Sequence, residues 1–307
     1  MFFKIFFNKL LYKYRFLIVF RFGKSVGDQL CLTAVIKSIK DSYNCNIILF
    51  TNYPELFLNN PNFYKIFYFK NFFIIKIVNK ALKYLEGNYI LEYRAREKKN
   101  INYFMSDRGH QHLALAHADH FKIYNNNYNK INCEFFFTDE EIILMKKKYN
   151  FKKKFAVVQS EAKKSFTPNK NWFPGRFNEV IKNIIFVDWV QVGFDIDYKI
   201  NGTIDLRGLT NIRELAYLVS KCEFILCLEG FLNHLASCFK KKTFVITSGF
   251  VPKEIIQYEN SLFIKSKIKP VCDPCYLLIK CPIKDYPCMS GILAKDVINK
   301  IKNHSIL

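Results

Sequence analysis

Four loops gather the side chains that could do chemistry in this 307-residue chain. The first is GKSVGDQL, Gly23 to Leu30, which follows an apolar run and opens an amphipathic one. Gly27 leaves room for a backbone or a ligand to approach. Asp28 falls in the first turn of the helix, where a carboxylate serves either as an ordinary cap or as a proton acceptor facing a site. The glycine spacing fits neither a Walker A loop nor a dinucleotide fingerprint. The second loop is SEAKKSFTPNKNWFP, Ser160 to Pro174. Lys163, Lys164 and Lys170, with the hydroxyls of Ser165 and Thr167, can neutralise a diphosphate without a metal, or simply form a solvated basic loop. Trp172 and Phe173, just before Pro174, read as anchors of a helix start rather than as a stacking platform.

The third loop is LCLEGFLNHLAS, Leu226 to Ser237. A strand, then Glu229 and Gly230, then a helix opening at Phe231 presents free backbone N–H groups at a positive helix end, which is an anion site. His234 lies on that apolar helix, where a histidine is commonly a hydrogen-bonded structural residue. The fourth is CDPCYLLIKCPIKDYPCM, holding Cys272, Cys275, Cys281 and Cys288. A C-x-x-C followed by two more cysteines has thiolate spacing suited to tetrahedral Zn or Fe. Cys31, Cys45, Cys133, Cys222, Cys227 and Cys238 lie on apolar elements and read as small core residues. In RGHQHLALAHADH, His110, His112, His117 and His120 lack a thiolate or clear carboxylate partner, so acceptor binding or exposure ranks above a metal site.

These loops need a scaffold, and the apolar pattern supplies one. Short apolar runs alternate with amphipathic stretches, the mark of βα units and a parallel sheet. Strands are expected at Phe16 to Phe22, Ile47 to Thr51, Lys65 to Phe69 and Tyr89 to Tyr93. Helices are expected at Asp28 to Lys40, Pro54 to Asn59, Phe72 to Leu85 and Arg108 to Phe121. The polar stretch YNNNYNK (124–130) and a capping box of Thr138 and Glu141 place a domain boundary near residue 150. A second series follows: strands Phe155 to Ser160, Phe186 to Val192, Phe224 to Leu228 and Thr243 to Thr247, with helices Pro174 to Ile184, Ile212 to Lys221 and one from Phe231. The reading is therefore two α/β domains, 1–150 and 151–307, with a ligand cleft at the carboxyl ends of their strands.

Composition limits the function classes. Half the residues are hydrophobic and 17% aromatic, which excludes a disordered or fibrous chain. The net charge of +21 invites nucleic acid or an anionic membrane as partner. The excess is spread over both halves, however, and Lys, Asn, Ile, Phe and Tyr are all abundant, which codon bias toward A and T explains in large part. Ten scattered cysteines in a chain of this length indicate reduced thiols in the cytosol. Lys4, Lys9, Lys13 and Arg15 interrupt the first twenty residues, so neither a spanning helix nor a signal peptide is expected there. That basic, Phe-rich start either lies on an anionic inner leaflet or packs on its own sheet.

In order and spacing the blocks resemble glycosyltransferase family 9, the ADP-heptose:lipopolysaccharide heptosyltransferases. SVGDQLCLTAVIKSIK resembles the family's G-D-x-L block and TPNKNWFPGRF its K-x-W-P block. IDLRGLTNIRELAYLVSKCEFILCLEGFLNHLAS resembles its D-L-x-G to D-x-G-x-x-H block, and CDPCYLLIKCPIKDYPCM its cysteine-bearing tail. The similarity spans roughly residues 16 to 303. It implies a GT-B fold, two Rossmann-like domains facing a central cleft, and inverting transfer of a sugar from a nucleotide diphosphate, ADP-heptose first, onto a lipopolysaccharide or lipooligosaccharide core. Asp28 then matches the general base, with Gly27, Arg108 and His110 on the acceptor side. Ser165, Thr167, Lys170, Glu229, Gly230, Phe231 and His234 fall on the donor side. Glu229 replaces the family's usual Asp, and Gly230 with Phe231 stands where many members have Thr-Gly. No cofactor is implied for catalysis; Zn or Fe at the cysteine loop would be structural. The expected location is cytoplasmic, with peripheral contact at the inner membrane and no nucleic acid partner. The alternative is a non-catalytic basic protein on an anionic membrane or nucleic acid, with the cysteine loop as a zinc knuckle; no RNA-binding signature or zinc-finger histidine spacing supports it.

Overall fold

The computed structural model describes residues 16–21, 25–68, 112–120, 131–163 and 166–305. The expected helix at 72–85, the strand at 89–93, the polar stretch 124–130 and the amino-terminal fifteen residues lie outside them, as do Arg108, His110, Lys164 and Ser165. The chain divides into two compact units, 1–138 and 139–307. The division falls before the helix Asp139–Lys148, which joins the second unit by docking on the helix Ile212–Lys221: the Arg213 guanidinium donates from Nε and, at 2.6 Å, from Nη2 to the two carboxylate oxygens of Glu141.

In the first unit β1 (Phe16–Arg21), β2 (Asn46–Thr51) and β3 (Phe63–Tyr68) form a parallel sheet in that order. Alternate residues of β2, Ile47, Leu49 and Thr51, are buried, as the period of two along a strand requires. The helix expected over Asp28 to Lys40 is two pieces, Val26–Leu30 and Thr33–Tyr43. The break has its cause at the end of β2. Gln29, fully buried, accepts from Thr51 Oγ1 at 3.0 Å and donates to Asn52 Oδ1 at 2.9 Å, which ties the short piece to the end of β2. Thr33 Oγ1 then donates to the Leu30 carbonyl at 2.7 Å, satisfying a group freed by the break. The second piece buries Thr33, Val35, Ile36 and Ile39 on one face and ends at Asn44 in the left-handed region, φ 44°. The helix expected at 54–59 is a single 3-10 turn, Pro54–Leu56.

The second unit holds six parallel strands in the order β6-β5-β4-β7-β8-β9. They are β4 (Phe155–Val158), β5 (Asp188–Gln191), β6 (Ile204–Asp205), β7 (Ile225–Leu228), β8 (Thr243–Ile246) and β9 (Ser261–Ile264). Every residue of β4, β7 and β8 is buried, which is why these strands read as unbroken apolar runs rather than as alternations. The helices Pro174–Asn183 and Ala294–Ser305 contribute to one core, where Trp172 meets Phe177 edge-on at 4.9 Å and Phe224 meets both Trp189 and Phe244. The Trp172 indole N–H donates to the Ile292 carbonyl at 3.0 Å, so this tryptophan anchors the helix start as expected. From the β4–β7 boundary the strand order runs outward in both directions. That boundary is a topological switch point, the place where open α/β sheets bind ligands.

Among the described residues no helix is long and apolar enough to cross a membrane.

Candidate functional site

The loops leaving β4, β7 and β8 converge on one pair of charges. Glu229, the first residue after β7, is buried, and its Oε1 is held from β8 by the Thr247 hydroxyl and by the Ser248 N–H at 2.9 Å. Its Oε2 lies 3.5 Å from Lys170 Nζ. Lys170 ends the 3-10 turn Pro168–Lys170 that follows β4, and its side chain is 15% exposed. The ammonium also stands over two rings, 4.7 Å from the centroid of Phe250 and 5.3 Å from that of Phe166, which meet edge-on. Such a slot holds a partly desolvated cation by an ion pair and two ring faces while leaving a small opening to solvent. An anion approaching that opening meets an ammonium whose position is already fixed.

A residue that the sequence did not single out fixes the turn itself. Asn169 is buried, and its side-chain amide donates to the Leu277 carbonyl at 2.8 Å and the Ile279 carbonyl at 2.7 Å, while its oxygen accepts from the Cys281 N–H at 3.0 Å. Thr167 Oγ1 donates to the same Leu277 carbonyl at 2.9 Å and accepts from the Asn169 N–H, capping the turn. Thr167 therefore binds the cysteine loop, and Lys170 two residues beyond Pro168 is left to face the acidic partner. Nothing local in TPNKNW separates Asn169 from its polar neighbours; its partners are more than a hundred residues away. Ser165, expected beside Thr167, lies outside the described residues.

Gly230 is the N-cap of the helix Phe231–Cys238, with extended backbone and open space where a side chain would stand. No side chain caps this helix, so its first N–H groups remain as donors beside Glu229. Phe231 is half-buried at the helix start. His234, expected on the donor side, is buried one turn further on, with Nδ1 2.7 Å from the Tyr258 hydroxyl and the two rings nearly perpendicular. One of its nitrogens is thus engaged within the unit. Beyond β5 and β6, Arg207 grips Asp205 through two contacts of 2.8 Å and donates to the carbonyls of Asp195 and Asp197, holding the Asp205 carboxyl down at about 2.

In the first unit Asp28 is the third residue of the helix Val26–Leu30, half-buried, and Gly27 before it is buried. Ser25, not Asp28, is the N-cap, and makes no side-chain cap. His117, on the helix Leu113–His120, is fully buried and its Nε2 donates to the Asp28 carbonyl at 3.0 Å. His112 accepts from the Ala114 N–H at 3.1 Å and so caps that same helix. Two of the four histidines are therefore structural, His117 supporting the Asp28 turn and His112 the start of the helix that carries His117. His110 and Arg108 lie outside the described residues.

The four cysteines of the last loop are all free thiols. Cys275 N–H and Tyr276 N–H donate to the carbonyls of Gly249 and Phe250, and a side chain at Gly249 would crowd Asp273, whose Cβ lies 3.1 Å from where it would stand. Burial, and after it the nearness of the other thiols, pushes the Cys275 and Cys288 thiols up, which favours the protonated form. Among the described residues no three His, Cys, Asp or Glu side chains are placed to hold a metal ion. The loop groups Cys272, Cys275, Cys281 and Cys288 without closing them into a ligand set. Of the other cysteines, Cys31, Cys133, Cys222 and Cys227 are buried in the core, as expected, whereas Cys45 and Cys238 are half-buried.

No protein-family model and no curated relative matches the sequence. Solved structures do match. A family 9 glycosyl transferase from Veillonella parvula DSM 2008 superposes with a TM-score of 0.68 at 12% identity, covering 95% of this chain and 97% of that one. The E. coli ADP-heptose LPS heptosyltransferase II gives 0.66 at 12% identity, covering 94% and 98%. The dodecameric iron-containing heptosyltransferase TibC, solved in complex with ADP-D-beta-D-heptose, gives 0.68 at 12% identity, covering 95% of this chain and 76% of that one. At these identities the likeness speaks for the fold, and over nearly its whole length this chain has the GT-B fold of the family 9 glycosyltransferases.

Proposed function

We propose that the protein is an inverting glycosyltransferase of family 9 that moves a heptose from ADP-heptose onto a lipopolysaccharide or lipooligosaccharide core. The observation that carries the reading is the Lys170–Glu229 pair at the switch point of the second sheet, beside the uncapped start of the helix Phe231–Cys238. A nucleotide diphosphate needs fixed positive charge and N–H donors at its phosphates, and this corner supplies both.

In this reading the second unit holds the donor and the first supplies the base. The Asp28 carboxylate takes the proton of the acceptor hydroxyl as its oxygen forms a bond to the anomeric carbon. The bond from that carbon to the diphosphate breaks, and the electron pair leaves on the diphosphate. Lys170 and the N–H groups at the helix start offset the charge that develops there. A single displacement inverts the anomeric centre. Glu229, with one oxygen fixed by Thr247 and Ser248, orients Lys170 with the other and offers it to a donor-sugar hydroxyl. None of these steps uses a metal. The test is transfer itself: ADP-heptose and a heptose-free core acceptor incubated with the protein, with the product mass followed. Growth of the acceptor by one heptose supports the reading. Intact donor and acceptor after long incubation, with a panel of other nucleotide sugars equally inert, would reject it.

A further inference from the structure

The cysteine loop presents its apolar side chains to water although it is firmly attached. Its backbone is fixed by Asn169, at Leu277, Ile279 and Cys281, and by Gly249 and Phe250, at Cys275 and Tyr276. Yet Ile268 is 61% exposed, Val271 108%, Ile279 71% and Ile283 41%. Burying four aliphatic side chains inside would be favourable, and the segment is not free to fold them in. Between them stand Lys265, Lys267, Lys269, Lys280 and Lys284, all exposed, against two acidic residues, Asp273 and Asp285, over residues 265–285.

We infer that loop 265–285 seats the protein on an anionic lipid surface, with Ile268, Val271, Ile279 and Ile283 entering the interface and the five lysines facing the headgroups. The residue types select this occupant over two others. Single-stranded nucleic acid is held by aromatic stacking, and every large apolar side chain that the loop exposes is aliphatic. Protein interfaces are enriched in aromatic residues and Arg and depleted in Lys, and this loop has five Lys and no Arg. Exposed aliphatic side chains interleaved with lysines supply the two terms that hold a segment at an anionic lipid surface, burial of apolar area and attraction to the headgroups. The same hydrogen bonds that fix the loop also fix the turn bearing Lys170, so a seated loop keeps the donor corner at a set distance from the bilayer. The inference does not depend on the transferase reading, because lipid binding is read without donor or acceptor.

The experiment is flotation of the full-length protein with vesicles of phosphatidylcholine alone and of equal parts phosphatidylglycerol and phosphatidylcholine. The protein is expected to float with the anionic vesicles, less so as salt rises, and to stay behind with the neutral ones. Val271→Ser with Ile279→Ser is expected to lower the bound fraction at least fivefold at an unchanged melting temperature. Lys267→Glu with Lys280→Glu, exposed positions that leave the fold intact, should lower partitioning by roughly tenfold or more, since each lysine near an anionic surface contributes about a factor of five. Binding retained in both double variants would overturn the inference and place any lipid contact elsewhere in the chain. Absence of vesicle binding, with an oligomer that the Val271→Ser, Ile279→Ser variant splits in sedimentation velocity, would overturn it in favour of a second copy of the chain.

Discussion

Lys170 Nζ and Glu229 Oε2 lie 3.5 Å apart in a corner where the carboxylate is buried and its other oxygen is already committed to Thr247 and Ser248. The pair is therefore asymmetric. Glu229 is fixed by the residues that follow the neighbouring strand β8 and fixes the lysine, whereas the ammonium rests against two ring faces and retains donor capacity for a ligand. Lys170→Ala should weaken donor binding far more than acceptor binding. A charge-assisted contact to phosphate contributes about 1.5 to 3 kcal/mol, so donor affinity should fall by roughly ten- to a hundredfold. Titration calorimetry with donor and with acceptor measures it; equal donor affinity in mutant and wild type would remove Lys170 from the phosphate site.

Asn169 closes the link between the donor turn and the cysteine loop. Asn169→Ala strips two carbonyls of a donor and leaves the Cys281 N–H without its acceptor, a change costing about 1 to 3 kcal/mol. The melting temperature should drop by several degrees, roughly 2 to 4 °C per kcal/mol for a domain of this size. Donor affinity should fall with it, because the turn no longer fixes Lys170. Asn169→Asp, which keeps the acceptor and loses both donors, should fall between. Wild-type melting and donor binding in Asn169→Ala would show that the turn is fixed by other contacts.

For Asp28 the structure sharpens the choice between cap and base. Ser25 occupies the N-cap, and Asp28 lies three residues in, its backbone carbonyl held by His117. Asp28→Asn should leave stability nearly unchanged, since Asp28 is not the N-cap and its backbone contact with His117 survives an isosteric change. If Asp28 is the base, the same change should cut turnover by roughly 10²- to 10⁴-fold with little loss of donor affinity. Turnover and a melting curve on the one variant decide it. Near-normal turnover would exclude Asp28 as the base and turn attention to another carboxylate such as Glu229.

The cysteine loop makes a prediction that is independent of transfer chemistry. Hydrogen bonds to Thr167, Asn169, Gly249 and Phe250 hold it as it stands, so a chelator should leave the melting temperature unchanged. Elemental analysis of protein purified without added metal checks the premise. One equivalent of Zn or Fe, with a fall in melting temperature on its removal, would show that Cys272, Cys275, Cys281 and Cys288 close on an ion, as the C-x-x-C spacing by itself suggests.

How far the sequence carries depends on the range of each interaction. Strands β4, β7 and β8 are covered on both faces, so their burial is written as continuous apolar runs and they are legible. The two-residue β6 and the half-buried β9 carry too little apolar signal to stand out. The box of Asn211 and Glu214 has a readable signature, Asn followed three residues later by Glu before an apolar run, and both halves of it form. The helix break after Leu30 is not legible, because it depends on Gln29 reaching Thr51 and Asn52 on another element. In the candidate site, Lys170 and Glu229 are identifiable as charges at the ends of strands. Their pairing, the ring walls of Phe166 and Phe250, and the role of Asn169 arise only when loops distant in sequence meet.

The most direct test of the account is thermal stabilisation by a nucleotide-diphosphate sugar, ADP-heptose first and then a panel of others, measured beside the Lys170→Ala variant and beside oligonucleotides. The account predicts that a nucleotide sugar at a hundred times its dissociation constant stabilises the wild type by about 2.7 kcal/mol, that Lys170→Ala loses half of that gain or more, and that oligonucleotides give none. A protein unmoved by every nucleotide sugar, yet stabilised by oligonucleotides with a steep dependence on salt, would contradict it and identify a basic binding protein instead.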